Sequence, residues 1–552
     1  MSVLASLFLA GCSQEQIAPN GEGNGSGEAN TSYMAVNLVS ANAMGTRAAQ
    51  GYEDGNNAEN KVTSVRFYFF NGVGGAVNVK LQNGSYVNYY DWTPEEGDQS
   101  GDTNNGDDIE SKLKATIVIN TAEGDGIPQR VAAVLNPTGL DNASKSLTDL
   151  KAVFADYADS GLTSEGTFVM FNSVGGEGKN LSTTLIEDKN LCKTKEDALA
   201  HPVTIHVERS VAKVRITLDK SIGFDNDNKL ALKDKDGNDL KVGGEQVYLQ
   251  LDGWGLSAET SEGRLVKKIN PAWEGTWWYT SHRSFWAINS MNATNRYHMY
   301  NDIKTSFGKD NALYTNENAQ LTDINGSEGK AKKRTKFILK GKLCKADGTP
   351  FTIVRHLGVH FADTVSKTEA ENLTELKKSI LNQLTAGGYN YYYPTESGRA
   401  EIGVDDLEIL VAPQVEDENS QNNCYVYAQL TDDAAAKTWY RSLEEGETAI
   451  EEADKEINGK LANEEIVDKA LVWNSGMTYY YSEIKHLNSL TGVVRNHIYG
   501  INVTKIAGLG TPVYDPTKVI YPEQPKENDH FIAAQIDILS WRVVNEDYEL
   551  EW

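Results

Sequence analysis

The stretch from His201 to Leu218 reads HPVTIHVERSVAKVRITL, and its alternation changes phase in the middle. Val203, Ile205 and Val207 share one parity, whereas Ala212, Val214, Ile216 and Leu218 share the other. Side chains alternate across a strand with period two, so a single straight strand would leave one of these rows facing away from its core. The apolar face must therefore change near Arg209, at a bulge, a kink or a crossing between sheets. Such a break suits the end of one domain.

Strand signals dominate on both sides of it. Upstream, Val65, Phe67 and Phe69 alternate in VTSVRFYFF, and Leu113, Ala115, Ile117 and Ile119 alternate in KLKATIVIN. Arg130 to Pro137 and Gly166 to Ser173 read as further strands, with helical spacing of Leu147, Leu150, Phe154 and Tyr157 between them. Downstream come Gln246 to Leu251, Lys336 to Leu343, Leu407 to Val411, Tyr425 to Leu430 and Val493 to Val503. Leu373, Leu376, Ile380 and Leu384 mark one helix, and Asp433 to Lys469 has helical spacing and composition. Regular strand–helix alternation is missing, so the expected fold is mainly β: two β-sandwich domains with short helical insertions. The expected divisions are 1–47, 48–220, 221–522 and a tail at 523–552.

The chain has 552 residues, enough for two or three domains with sizeable cores. Its formal net charge of −26 argues against nucleic-acid binding, which requires clustered Lys and Arg to displace counterions. Met1 to Cys12 reads MSVLASLFLAGC, an apolar run whose small residues precede a cysteine, as in a bacterial lipoprotein signal with Cys12 as the lipid site. The run lacks a positively charged n-region, so a truncated start is expected. A Gly/Asn/Ser/Glu spacer follows to Asn30. Ser32 to Val39 (SYMAVNLV) then alternates as a short strand, with Met34, Val36 and Leu38 on one face. Just beyond, Arg47 precedes Ala48 between small residues in a polar stretch, the type of segment at which proteases cut.

The other end carries a second candidate strand. After the proline-marked linker Tyr521 to Pro525, Ile532, Ala534, Ile536 and Ile538 form one row, and Leu539, Trp541 and Val543 continue on the opposite phase. Such a strand can swing out to a neighbour or pair within its own domain.

Catalytic patterns are missing. HLGVH at His356 to His360 lacks the glutamate of HExxH, and Asp225, Asp227, Asp234 and Asp236 lack the spacing of an EF-hand loop. There is no Walker loop, no GxSxG elbow and no CxxC pair. Cys192, Cys344 and Cys424 are widely separated and read as buried thiols. No enzyme, cofactor or metal is expected. Trp254, Trp277, Trp278 and Tyr391 to Tyr393 suit a glycan platform or, more commonly, packing.

Several segments taken in order resemble the fimbrillins of Bacteroidales, most closely shaft subunits of the minor, short fimbriae of the Porphyromonas type. They are the Cys12 lipobox, the Arg47 site, VERSVAKV (Val207 to Val214), HRSFWAIN (His282 to Asn289), YTNEN (Tyr314 to Asn318), the run from Gly492 to Pro512, and AAQIDILSWRVV (Ala533 to Val544). The resemblance implies transthyretin-like sandwiches, a precursor lipid-anchored in the outer membrane, and removal of the leader by an arginine-specific protease. Loss of the strand carrying Met34, Val36 and Leu38 then opens a groove, and a neighbour's donor strand with Ile536, Ile538, Leu539, Trp541 and Val543 fills it. The implied partners are identical subunits head-to-tail, accessory anchor and tip proteins, and host or bacterial surface proteins. The implied location is a fimbrium at the cell surface, supporting adhesion and biofilm formation. The alternatives are a monomeric surface lipoprotein that binds host protein or glycan, and an anchor or tip component.

Overall fold

The phase change near Arg209 is a crossing between sheets. Val203–Arg209 lies in the sheet of a first unit and Val211–Leu218 in a sheet of a second, with Ser210 between them. Each half buries its own apolar row: Val203, Ile205 and Val207 in one, Ala212, Val214 and Ile216 in the other. The first unit comprises Met1–Ser210 with Arg264–Phe285, and the second Val211–Gly263 with Trp286–Trp552. The division thus falls at Ser210, ahead of the expected 220, because the second apolar row belongs to the next sheet. The tail groups with the second unit.

The structure, a computed structural model, describes residues 30–41, 55–80, 85–96, 98–101, 109–121, 127–173, 182–234, 236–269, 287, 293–318, 334–366, 372–411, 424–486, 492–522, 530–540 and 543–546. It is mainly β, as the alternation requires.

The first unit is built on one eleven-stranded sheet. Its main path runs Tyr86–Val87, Val79–Lys80, Ile109–Thr121, Asn30–Ala41, Val203–Arg209, Met170–Asn172, Arg130–Leu135, Val65–Phe70 and Tyr89–Trp92. Every residue of Val65–Phe70 is buried, Arg66 included. That guanidinium is neutralised by paired hydrogen bonds to the Asp91 carboxylate at 2.6 and 2.8 Å and stacks over Tyr89. The helix expected from Leu147 to Tyr157 is shorter. It is capped by Ser146 and Asp149, spans Leu147–Lys151 and gives way to a Phe154–Ala155 strand, while Leu150 and Tyr157 still reach the interior.

In the second unit two five-stranded sheets face each other as a sandwich. One orders Ala312–Asn316, Val211–Leu218, His497–Gly508, His530–Ser540 and Val543–Glu546; the other Lys229–Ala231, Tyr248–Ser257, Lys336–Cys344, Met477–Glu483 and Thr511–Pro512. Val214, Ile216, Ile501 and Val503 from the first pack with Leu249, Trp254, Phe337, Leu339 and Tyr480 from the second. Gly253 sits at a bulge with φ +157, where a β-carbon would stand 3.0 Å from the Thr305 carbonyl oxygen. The bulge aims Trp254 inward, and its indole N–H donates to the Ser306 carbonyl at 3.0 Å. A third five-stranded sheet, Val359–Asp363 through Leu407–Val411, carries the helices. The Thr374–Ala386 helix buries Leu376, Ile380 and Leu384, as its spacing predicts. Asp433 to Lys469 is less helical than expected, with only Asp432–Ala435 and Ala453–Leu461 in α-helix. The acidic cap of the first and the buried Ile457 and Leu461 of the second account for the composition.

Polar groups of two resemblance segments meet inside this unit. Glu317 of YTNEN accepts from Arg495 Nε at 2.8 Å, with both side chains at most 2% exposed. Asn318 donates to Thr335 Oγ1 and the Ala258 carbonyl, and Asn316 to the Thr260 carbonyl. The Glu317–Arg495 pair ties this segment to the chain just ahead of His497–Gly508, and the two amides tie it to Ala258, Thr260 and Thr335. The other sites raised by the sequence are structural. Asp234 Oδ1 accepts from the backbone N–H of Asp236 and Asn238, closing a turn, and no metal-holding cluster occurs among the described residues. Trp254 and Tyr391 are buried, which removes them from a glycan platform. His356 is a satisfied core histidine: Nε2–H donates to the Asp468 carbonyl at 3.1 Å, leaving Nδ1 to accept from the Ser379 hydroxyl at 2.7 Å.

Two stability measurements follow. Arg495→Ala leaves Glu317 buried without its cation and is expected to cost about 3–5 kcal/mol in urea unfolding. Burial holds the His356 imidazole below its ordinary value of 6.5, with the Asp468 carbonyl opposing. A depressed native value means stability present above 6.5 and lost as pH falls through the native value. His356→Gln should flatten that acid limb in a thermal-midpoint titration.

Candidate functional site

The strand that precedes the first body lies in the middle of its sheet. Asn30–Ala41 pairs antiparallel with Ile109–Thr121, from Asn30 opposite Thr121 to Ala41 opposite Ile109. On its other edge it runs parallel with Val203–Arg209, from Val36 beside Val203 to Ser40 beside Val207. The sheet path passes from Ile109–Thr121 to Val203–Arg209 only through this strand.

Three apolar rows meet there. Met34 stands opposite Ile117, Val36 between Ala115 and Val203, and Leu38 between Leu113 and Ile205. All of these side chains are at most 4% exposed. Burying Met34, Val36 and Leu38 is worth roughly 5–9 kcal/mol at about 1.5–3 kcal/mol for each side chain. Without the strand, Leu113, Ala115 and Ile117 would form one wall of an open groove, and Val203, Ile205 and Val207 the other. Two unpaired backbone edges would line it.

The end of the groove is fixed by a buried arginine. Arg209 donates from Nε to the Glu59 carbonyl at 3.1 Å and from Nη2 to Asn60 Oδ1. The short helix Asn57–Asn60 begins with a capping box of Asn56 and Glu59. The segment Glu59–Asn60 is therefore held to the sheet by contacts that do not involve Asn30–Ala41.

The C-terminal strand is paired inside its own unit. His530–Ser540 runs antiparallel to His497–Gly508, with Ile536 opposite Ile501, Ile538 opposite Tyr499 and Leu539 opposite Ile498. Val543–Glu546 folds back on it and places Val543 opposite Leu539. Both openings left by the sequence reading thus concern this tail, and in this chain the intramolecular one is occupied. Cys12, Arg47, Ala48 and Trp541 lie outside the described residues. The sequence marked Leu113, Ala115 and Ile117, and Val203, Ile205 and Val207, as strand faces. It gave no sign that they are the two walls of one groove, since a parallel pairing between strands so distant in sequence leaves no local signal.

The family profile described as "Major fimbrial subunit protein (FimA)" matches residues 32–209, the leader strand through the crossing arginine. The profile described as "Major fimbrial subunit protein type IV, Fimbrillin, C-terminal" matches residues 472–547. At both ends the chain is thus similar to the fimbrillins of the Bacteroidales, which are fimbrial structural proteins of the cell surface. Among solved structures, a fimbrilin from Porphyromonas gingivalis is 11% identical, covering 93% of this chain and 99% of its own at a TM-score of 0.35. A candidate cell-adhesion protein from Bacteroides eggerthii is 10% identical, covering 94% and 97% at 0.34. The fimbrial anchor protein of Porphyromonas gingivalis is 11% identical, covering 60% and 96% at 0.22. No curated protein sequence matches the chain.

The sheet's dependence on its central strand is measurable in the intact chain. Leu38→Ala, at a site enclosed by Leu113 and Ile205, is expected to lower unfolding stability by about 2–5 kcal/mol. Lys114→Ala, on the exposed face of the adjacent strand, should change it by no more than about 0.5 kcal/mol.

Proposed function

We propose that this chain is the structural shaft subunit of a short cell-surface fimbria, assembled by donor-strand exchange. The precursor is exported as a lipoprotein on Cys12 and held at the outer membrane. An arginine-specific protease cuts between Arg47 and Ala48, so that the lipid and the strand carrying Met34, Val36 and Leu38 depart together. The tail of another copy, with Ile536, Ile538, Leu539, Trp541 and Val543, takes the vacated place. Repetition of this head-to-tail contact gives a filament that does not close on itself. Accessory anchor and tip proteins complete the fimbria, which serves adhesion to host or bacterial surface proteins and biofilm formation.

One observation carries this reading: the segment ahead of Arg47 is the central strand of a sheet whose two flanking strands are not paired with each other among the described residues. A cut there frees a structural strand to be exchanged, whereas a cut in an ordinary leader would not. The Arg209 contacts to Glu59 and Asn60 support it further, since they keep the new N-terminal region in place after cleavage. The tail's pairing with His497–Gly508 favours the rival reading of a monomeric surface protein. On the proposed reading it is the stored position of the donor before exchange.

Purified precursor treated with an arginine-specific protease is expected to form ladders that resist SDS. Arg47→Ala should leave the leader attached and the protein monomeric, and deletion of the chain after Gln524 should permit cleavage without ladders. Cleaved wild-type protein that stays monomeric would sink the proposal.

A further inference from the structure

We infer that one end of the first unit is an apolar docking face for the next copy of the chain, surrounding the mouth through which a replacing strand enters. The inference rests on the donor-strand reading and adds to it a contact surface outside the groove.

Sheet register alone locates the face. Val36 stands beside Val203 and Ser40 beside Val207, so Asn30 lies beyond the Val203 end of that strand. The chain departs for the second unit at Ser210, at the opposite end. Every large apolar side chain exposed in this unit among the described residues, namely Val73, Tyr86, Ile127, Leu185 and Leu199, maps to the Asn30 end. Tyr86 pairs with Lys80, which pairs with Asn120, and Asn120 stands opposite Thr31. Leu199 is on the Lys195–Ala200 helix just ahead of Val203. Met170 stands opposite both Arg209 and Leu135, so Arg130–Leu135 runs in the same direction as Val203–Arg209 and begins at the Val203 end. Leu185 is opposite Arg130, as is Phe70. Val73 follows Phe70 and Ile127 precedes Arg130, so both project farther out.

Single exposed apolar residues are unremarkable when scattered. Here all gather at one end, on a chain whose net charge of −26 otherwise disfavours self-contact. The occupant follows from the slot. A strand that keeps both ladders, antiparallel to Ile109–Thr121 and parallel to Val203–Arg209, must run in the leader's direction. Its N-terminal side, and the body of the copy that supplies it, then stand at the Asn30 end. The same body covers Val73, Ile127 and Leu199 as its tail fills the groove.

The test compares ladder formation after arginine-specific cleavage of the full chain. Val73→Asp, Ile127→Asp and Leu199→Asp together should slow it by about tenfold or more, tenfold corresponding to about 1.4 kcal/mol. Leader removal and the precursor's thermal midpoint should remain as in wild type. Leu443→Asp, a charge change equal to that of Val73→Asp alone at an exposed site of the second unit, should ladder normally. If the triple variant is destabilised, Val73→Asp alone gives the decision, because this residue is 94% exposed. Ladders formed at the wild-type rate by either variant overturn the docking face while leaving strand exchange standing. A wild-type chain that forms no ladders overturns strand exchange, and the face with it.

Discussion

The first unit depends on a row of three side chains, Met34, Val36 and Leu38, wedged between Leu113, Ala115 and Ile117 on one side and Val203, Ile205 and Val207 on the other. Their burial is worth roughly 5–9 kcal/mol, against a total stability of about 5–15 kcal/mol for a typical domain. Breaking the peptide bond that joins this strand to the body therefore does not empty the slot. The severed strand remains held by the same side chains and the same ladders. An emptied slot would cost the unit much of its stability and leave two unpaired edges open to indiscriminate pairing. On the donor-strand proposal, exchange is favoured when a second strand advances as the first withdraws, so that little of the groove is ever bare.

The buried charged groups have a different task. Arg495 and Glu317 occupy the interior of the second unit, and Arg209 the end of the groove, each in a fixed hydrogen-bonded arrangement. Taking such groups out of water is costly, so they contribute less to stability than to geometry. Arg209 holds the Asn57–Asn60 helix against the sheet, and the Arg495 cluster fixes the start of the strand with which His530–Ser540 pairs. Neither set of contacts includes a residue of Asn30–Ala41 or of His530–Ser540.

Much of this architecture was legible in the sequence, and the reason is local. The opposite parities of Val203 to Val207 and Ala212 to Leu218 require two faces, and the structure provides two sheets. The spacing of Leu376, Ile380 and Leu384 requires a helix with one buried side, and a helix lies there. What went unread is non-local. The phase change located the crossing, but sequence alone could not show that Val211 onward joins a sheet with residues near 500. The alternation of Met34, Val36 and Leu38 showed a strand, yet its neighbours are set by contacts made only once the chain has folded. Helical extent was overread at Leu147 to Tyr157 and at Asp433 to Lys469, where apolar spacing persists past the caps that end the helices. Sequence likewise marked the tail as a separable strand, while its present partner, His497–Gly508, is a tertiary choice.

The position of Asn30–Ala41 has a mechanical consequence. An edge strand can be peeled, its bonds failing one after another from a free end. Over Val36–Ser40 the strand is laddered on both sides and offers no free edge for peeling, so withdrawal along its own axis loads both ladders there together in shear. Whatever strand fills this slot resists a lengthwise pull through many bonds at once, so the joint's lifetime under tension depends on the barrier to that shared rupture rather than on its equilibrium affinity.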